Sequence, residues 1–290
     1  MTELLQFLIA GLKNGAIYSL VALGFTMVYA ATGAINFAQG QFFMLGGMLG
    51  AAFVGAGLPL PLAALAAVLA TALIGAVFEL VAVRPIGDGD PLRIIMVTIG
   101  GSVLFSQLAL HVFGPDTRSL TTFTAGPSLK VLGAAVERQT IWIWCLTALA
   151  VAGLALLYRR TMFGRAMRAT SLHRDAARLV GINARAMVTA SFALAAALGA
   201  VAGLAVAPLT QTSFQVGSGV AVKGFAAAIL GGLGDPAAAV AGGLVLGILE
   251  SLTAGYIDPT YKDGVALIIL LLVLFVRHQG LFGGSGREKV

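Results

Sequence analysis

Apolar residues run through this chain in long, nearly unbroken stretches, with polar and charged residues gathered between them. The stretches fall at about 4–31, 40–56, 61–82, 94–113, 140–158, 186–207, 215–231, 236–254 and 264–277. Most approach the roughly 20 residues that a helix needs to cross a bilayer's hydrocarbon core. The strict polar–apolar alternation of a membrane β-barrel is missing. In lipid, only helices and closed barrels satisfy every backbone N–H and C=O. The pattern therefore predicts an all-α, polytopic transmembrane bundle of about eight or nine spans, some short or broken. Residues 1–290 form a single domain on this reading. The first stretch contains Gly11, Asn14 and Gly15, which predicts a broken or tilted helix, and the seventh is short and carries Lys223.

Composition removes the soluble alternatives. Hydrophobic residues make up 59% of the chain and charged residues 10%, against about 25% charged in a soluble domain. The mean hydropathy is +0.96. Eight or nine spans leave no room for a separate soluble enzyme domain. The N-terminus does not read as a cleavable signal, because Glu3 precedes the first basic residue, Lys13, and apolar character continues to Ala31. The single cysteine, Cys145, excludes an internal disulfide framework and is expected to be a small buried apolar residue.

A net charge of +6 does not point to nucleic acid here, because the basic residues are concentrated in one place. Residues 159–185 hold Arg159, Arg160, Arg165, Arg168, Arg174, Arg178 and Arg185 against one acid, Asp175. Positively charged loops stay in the cytoplasm. That predicts a cytoplasmic loop 159–185 and a cytoplasmic C-terminal tail with Arg277, Arg287 and Lys289. An even number of crossings must then separate them, so 215–231 crosses despite its polar content. Residues 83–93 fall on the same side, and 114–139 and the N-terminus on the other. Four G-x-x-x-G spacings, Gly11–Gly15, Gly46–Gly50, Gly199–Gly203 and Gly243–Gly247, predict close helix packing.

Candidate chemistry is sparse. No phosphate-binding G-x-x-x-x-G-K-[ST], no H-E-x-x-H and no G-x-S-x-G occurs, and His111, His173 and His278 show no ligand spacing. The chain is expected to bear no catalytic or metal residues and to bind no cofactor. Any nucleotide must sit on another subunit. Ionisable residues at membrane depth are costly and point to function by default, which singles out Glu79, Lys223 and Glu250. Glu79 reads best as approaching the cytoplasmic interface near Arg84. Lys223 is open between a structural ion pair with Glu250, a snorkelling side chain and a pathway contact. Residues 32–41, T-G-A-I-N-F-A-Q-G-Q, are either an ordinary turn or irregular backbone lining a cavity. The second reading makes Asn36 and Gln39 candidate pathway residues. Thr210, Gln211, Thr212 and Gln215 are similarly open between a solvated loop and an outer mouth.

Within the basic loop, Asp175-Ala176-Ala177-Arg178-Leu179-Val180-Gly181 has a helix-like start and a glycine at a fixed offset. It is either a solvated loop that sets topology or a short amphipathic helix lying on a partner. The D-A-A-x-x-x-G stretch resembles the E-A-A-x-x-x-G coupling motif of ABC importer permeases, with Asp175 in place of glutamate. Four blocks, "GAINFAQGQFFMLGG", "FGRAMRATSLHRDAARLVGINARAMVTASFALAAALGAVAG", "KGFAAAILGGLGDPAAAVAGGLVLGILESL" and "YKDGVALIILLLVLFVRHQGLFG", resemble the permeases of branched-chain amino acid importers, in family order and over nearly the whole chain. Length matches the shorter of the two permeases usual in such importers. Gln39 departs from the family's N-F-A-H-G block and cannot take up a proton. The family also serves other small ligands, including amides and aromatic acids.

The resemblance implies a bacterial inner-membrane importer. It would comprise this permease with an identical or paralogous one, two cytoplasmic ATPases carrying ATP and Mg, and an external solute-binding protein. Asp175, Ala176, Ala177 and Gly181 would couple the chain to an ATPase. The competing class, an autonomous channel or ion-coupled carrier, would need no ATPase.

Overall fold

The structure is a computed structural model that describes residues 2–87, 90–131, 133–277 and 280–282. His278, Arg287 and Lys289 lie outside the described residues. Eleven α-helices follow one another along the described chain: α1 Thr2–Thr32, α2 Gln39–Gly55, α3 Leu60–Phe78, α4 Pro91–Phe113, α5 Arg138–Arg160, α6 Met162–Leu172, α7 Arg174–Leu179, α8 Ala184–Thr210, α9 Val216–Gly231, α10 Pro236–Tyr256 and α11 Lys262–Val276. A short antiparallel hairpin, β1 Leu129–Val131 and β2 Ala134–Val136, precedes α5. Each of the nine predicted stretches coincides with a helix. Among the described residues, six helical segments are long and apolar enough to cross a membrane by themselves.

Burial divides the bundle into a centre and a sleeve. The most apolar window of α1 is 78% buried and that of α8 67%, whereas those of α3 and α5 are each 22% buried. The centre is α1, α2, α8, α9 and α10, packed on one another. The sleeve helices turn Leu65, Leu69, Leu73, Met96, Val103, Leu149, Leu156, Leu271 and Phe275 outward. In water such faces would be untenable; in hydrocarbon they cost nothing.

The glycine spacings explain which helices reach the centre. On α1, a methyl group at Gly11 would fall 2.7 Å from the Cα of Ile248 on α10, and one at Gly15 would fall 2.8 Å from that of Leu244. Gly243 and Gly247 of α10 face back onto Ser19 and Gly15. The two helices thus run antiparallel with their glycine pairs interleaved. Gly46 and Gly50 of α2 lie on Ala200 and Leu204, and Gly199 and Gly203 of α8 lie on Phe42 and Phe43, so this second pair runs parallel. The four spacings make two helix pairs. Small residues let backbones approach and gather dispersion contacts that a lipid chain cannot replace.

Two expectations need correction. The first helix is continuous from Thr2 to Thr32, because its glycines are consumed in the α10 contact and its i→i−4 ladder is intact. Cys145 is exposed on the outside of the bundle; apolar character marks a lipid-facing surface as readily as an interior. The basic stretch 159–185, read as a loop, carries the two helices α6 and α7. The shared side inferred for that stretch and the chain's C-terminal part has a geometric counterpart. The N–H groups of Leu281 and Phe282 donate to the carbonyls of Leu230 and Gly231 at the end of α9. That end adjoins Gly234, which faces the Tyr29 ring of α1, and the neighbouring Val28 shares a cluster with Val188 at the start of α8.

A side chain at Gly247 would collide with the α1 backbone at Gly15, whereas one at Gly100 would meet nothing within 4 Å. Gly247→Val is expected to lower stability by about 1–3 kcal/mol, the usual cost of overpacking, and Gly100→Val to leave it unchanged. Thermal melting of the two variants in detergent checks this. Equal melting temperatures would contradict the packing account.

Candidate functional site

Two central helices are too short to traverse a bilayer. At 1.5 Å per residue, the 17 residues of α2 and the 16 of α9 span about 26 and 24 Å, against a hydrocarbon core of about 30 Å. Each is preceded by non-helical chain that enters the bundle. After Thr32, Gly33 takes φ +72°, a left-handed conformation that suits glycine. Residues 34–38 then climb back along α1 to the level of Gly24, where any larger residue would meet the side-chain amide of Gln39. The same Gln39 amide donates from Nε2 to the carbonyl of Ala195, near the middle of α8, at 2.8 Å. Gln39 and Asn36 are 0% exposed.

Irregular backbone at such depth must find partners inside the protein. The Phe37 N–H donates to Thr98 Oγ1 on α4 (3.1 Å), whose hydroxyl lies 2.9 Å from the Ile95 carbonyl and 3.3 Å from that of Ile35. The Ala38 N–H donates to Asn36 Oδ1 (3.1 Å). On the other side of the bundle, Gln211 turns the chain with φ +60°. Thr212 exchanges two 2.8 Å backbone hydrogen bonds with Arg118, and the Phe214 carbonyl accepts from Ser106 Oγ on α4 (3.0 Å). Both dipping segments deliver a helix start to the same place. Gly40, in the first turn of α2, lies against the Gly217 carbonyl in the first turn of α9 and against Ala221.

That junction is polar and incompletely satisfied. Asn36 Nδ2, Gln39 Oε1 and Gln41 Oε1 are buried with no hydrogen-bond partner. Each such atom costs about 1–3 kcal/mol and calls for a reason. The sequence points to Asn36 and Gln39, and the structure brings them together at the start of α2. It adds Gln41, whose Nε2 donates to Ser102 Oγ on α4 (3.0 Å). The signal for Gln41 was available, since it closes the same polar run. The roles of Thr98, Ser102 and Ser106 were not, because single hydroxyls in an apolar span carry no periodic mark.

Lys223 stands apart from this group, on α9 beyond Ala221. Its Nζ lies 2.6 Å from Glu250 Oε1 on α10 and 5.7 Å from the centre of the Tyr18 ring on α1. The Tyr18 hydroxyl donates to Glu250 Oε2 at 2.6 Å. Of the readings open for Lys223, the geometry is that of an ion pair, with Glu250 4% and Lys223 25% exposed in their side chains. Three central helices are tied by it. Glu79 is buried at the end of α3, 3.6 Å from Arg84 Nε, and accepts from Thr189 Oγ1 of α8 at 2.6 Å. A π-helical turn over Glu79–Val83 aims it there. Thr189 is close to the start of α8 and so to the basic stretch, the end expected for Glu79.

The D-A-A-x-x-x-G residues come together on α7. Asp175 lies in its first turn, 94% exposed in its side chain and 3.4 Å from Arg178. Gly181 takes φ +83°, and the Gly181 and Ile182 N–H groups cap the helix by donating to the carbonyls of Arg178 and Ala177 at 3.0 Å each. Only a glycine adopts that φ without strain. Ala176 is exposed and Ala177 buried within the chain, while Leu179 and Val180 are 89% and 75% exposed. Among the described residues no three His, Cys, Asp or Glu side chains are arranged to hold a metal ion.

A helical bundle with six segments of spanning length among the described residues, two helices that begin inside it and a basic helical excursion at one end marks a multi-pass membrane protein. Comparison with known proteins specifies which kind. The family described as the branched-chain amino acid transport system permease component matches residues 7–274, and this chain belongs to it. The high-affinity branched-chain amino acid transport system permease protein LivH of Salmonella typhimurium is 32% identical over 99% of this chain and 97% of its own length. BraD of Pseudomonas aeruginosa, described in the same words, is 34% identical over 99% and 98%. The autoinducer 2 import system permease protein LsrC of Escherichia coli is 33% identical over 50% of this chain and 45% of its own. The fold is similar to that of PsaBC from Streptococcus pneumoniae, solved in complex with Fab, at a TM-score of 0.51 and 12% identity over 93% of this chain and 91% of that one. The resemblance carried by the four sequence blocks is borne out: the chain is a membrane permease of an ABC importer.

Removing one partner of a buried ion pair strands the other charge. Lys223→Met is expected to cost about 2–3 kcal/mol, less than for a fully buried pair because Lys223 is partly exposed, and Lys223→Met with Glu250→Gln to recover most of that. Thermal melting of the single and double variants checks the pair. Losses that simply add would contradict it.

Proposed function

We propose that this chain is the membrane-spanning subunit of an importer that carries branched-chain amino acids, or a related small amino-acid-like, carboxylate or amide solute. It lies in the bacterial inner membrane, paired with an identical or paralogous permease. An external binding protein delivers the solute at the end bearing the β1–β2 hairpin. Two ATPases, carrying ATP and Mg, dock at the cytoplasmic end that bears α6 and α7. The solute passes the start of α2, where Asn36 and Gln39 line its path, with Lys223 further along.

The α6–α7 excursion carries this reading. It is a pair of arginine-rich helices at one end of the bundle, seated on it through Met167 of α6, yet it holds Leu179 and Val180 out to solvent. Leu179 and Val180, adjacent and exposed on an otherwise basic surface, are the apolar side chains such a docking face would use, and the C-terminal cap at Gly181 leads through Asn183, which caps Ala186 N–H, directly into α8. Movement at α7 is thereby passed to the central helix that holds Gln39. Asp175 and Ala176 lie on the free side of α7 toward the ATPase. Ala177 is buried beneath it, so its part is to seat α7 on its own chain.

Gly181→Val forces a β-branched residue into positive φ, Ala177→Arg unseats α7, and Leu179→Asp places a charge in the docking face. All three variants are expected to insert into the membrane and lose transport and solute-stimulated ATP hydrolysis. The assay uses the reconstituted complex with leucine. Full activity in every variant would refute the coupling role, and transport by the permeases without ATPases would refute the importer assignment.

A further inference from the structure

The first turns of α2 and α9 lie side by side with the helices running in opposite directions, so two helix N-termini meet within one bundle. Each N-terminus bears roughly half a positive charge, and Asn36, Gln39 and Gln41 beside them are buried. The polar side chains that form the junction are amides and hydroxyls: Asn36, Gln41, Ser102 and Ser106. Two positive ends brought together without a carboxylate among those groups suit an anion.

The amides make the site specific. Asn36 Oδ1 is committed to the Ala38 N–H, which leaves Nδ2 as a buried donor without a partner at the mouth of α2. Gln41 is 2% exposed, and its unpartnered Oε1 is aimed at α9, 2.7 Å from the place a Cβ on Gly217 would take. Its Nε2 partner is a serine hydroxyl, which can donate as well as accept. The Gln41 amide can therefore turn over, keep its bond to Ser102, and present N–H to the α9 side. The α9 helix itself is the cover. Gly217 and Ala221 press on Gly40, while Ser218, Gly219 and Val222 on the other side of the helix are exposed. At the Gly40–Gly217 contact backbone meets backbone, with the Ala221 methyl and the Gln41 amide as the adjoining side chains, so a displacement of α9 would open the junction.

We infer that the junction of the α2 and α9 N-termini, with the amides of Asn36 and Gln41, binds the carboxylate of the solute in passage. The inference rests on the proposed amino-acid permease function. It names the group of the solute that is held and adds a residue, Gln41, to the path.

The test uses the complete complex in proteoliposomes, with binding protein outside, ATP inside and radiolabelled leucine. Gln41→Met keeps length and apolar packing but removes the hydrogen bond to a charged group, and should lower uptake by about tenfold. Gln41→Glu adds a repelling carboxylate and should lower it further. Co-purification of the ATPases with the Met variant checks that its complex assembles, and this variant decides the matter if the Glu variant does not. Wild-type uptake in the Met variant would overturn the site. A Glu variant as active as the Met variant would overturn its anionic character. Absence of leucine uptake by the wild-type complex would instead overturn the amino-acid permease reading, and this inference with it.

Discussion

The interior of a membrane protein offers no water to a stray N–H or C=O, and the whole architecture of this permease depends on how that constraint is met. Helices meet it by themselves. Where the chain leaves helical geometry at depth, at residues 33–38 and 211–215, the partners come from elsewhere: Thr98, Ser106 and the Arg118 backbone, with Asn36 closing a local turn. α4 supplies both hydroxyls. A sleeve helix that looks like simple lipid-facing packing is thus what allows two irregular segments to exist inside the bundle. Those segments in turn allow α2 and α9 to start there.

Close packing by small residues is the second requirement, and it follows from the first. Helix pairs with glycine at the contact approach closely, as α1 with α10 and α2 with α8 do. The same device at Gly40 and Gly217 has another consequence. There the two helix starts pack backbone on backbone with Ala221 and the Gln41 amide beside them, next to a Tyr18–Glu250–Lys223 tie that is costly to break. Along α9 an incompletely hydrogen-bonded junction and an ion pair therefore stand close together. At the far end of the bundle, α7 is linked through its Gly181 cap to α8, and α8 holds Gln39. A conformational change needs both an element that moves and one that stays, and these residues supply them.

Much of this was legible in the sequence, for definite reasons. Apolar runs of spanning length located every helix of the bundle, because lipid enforces length and composition together. The basic run located one end, and Gly181 was readable because a turn there needs positive φ. Asn36, Gln39 and Lys223 stood out as polar residues in an apolar background. The opposite error came from the same logic: of the broken or tilted first helix that Gly11, Asn14 and Gly15 suggest, the break is absent, and Cys145 suggests a burial it does not have, because sequence does not separate a helix face against protein from one against lipid. The tie of Lys223 to Tyr18 and the dependence of residues 33–38 on Thr98 were invisible, since both join positions far apart in the chain. The D-A-A-x-x-x-G stretch was readable as a motif, but the seating of Ala177 against its own chain needed coordinates.

Side chains from a neighbouring helix sustain the irregular backbone on which the inner helix starts depend. Hydrogen–deuterium exchange of wild type and Thr98→Val, with the full chain in lipid nanodiscs, tests it most directly. Valine preserves the shape of threonine while leaving the Phe37 N–H without its acceptor, at a cost of about 1–3 kcal/mol. Exchange over residues 33–38 is expected to speed up in Thr98→Val, with α1 and α10 unchanged. Unaltered protection across that segment would contradict it.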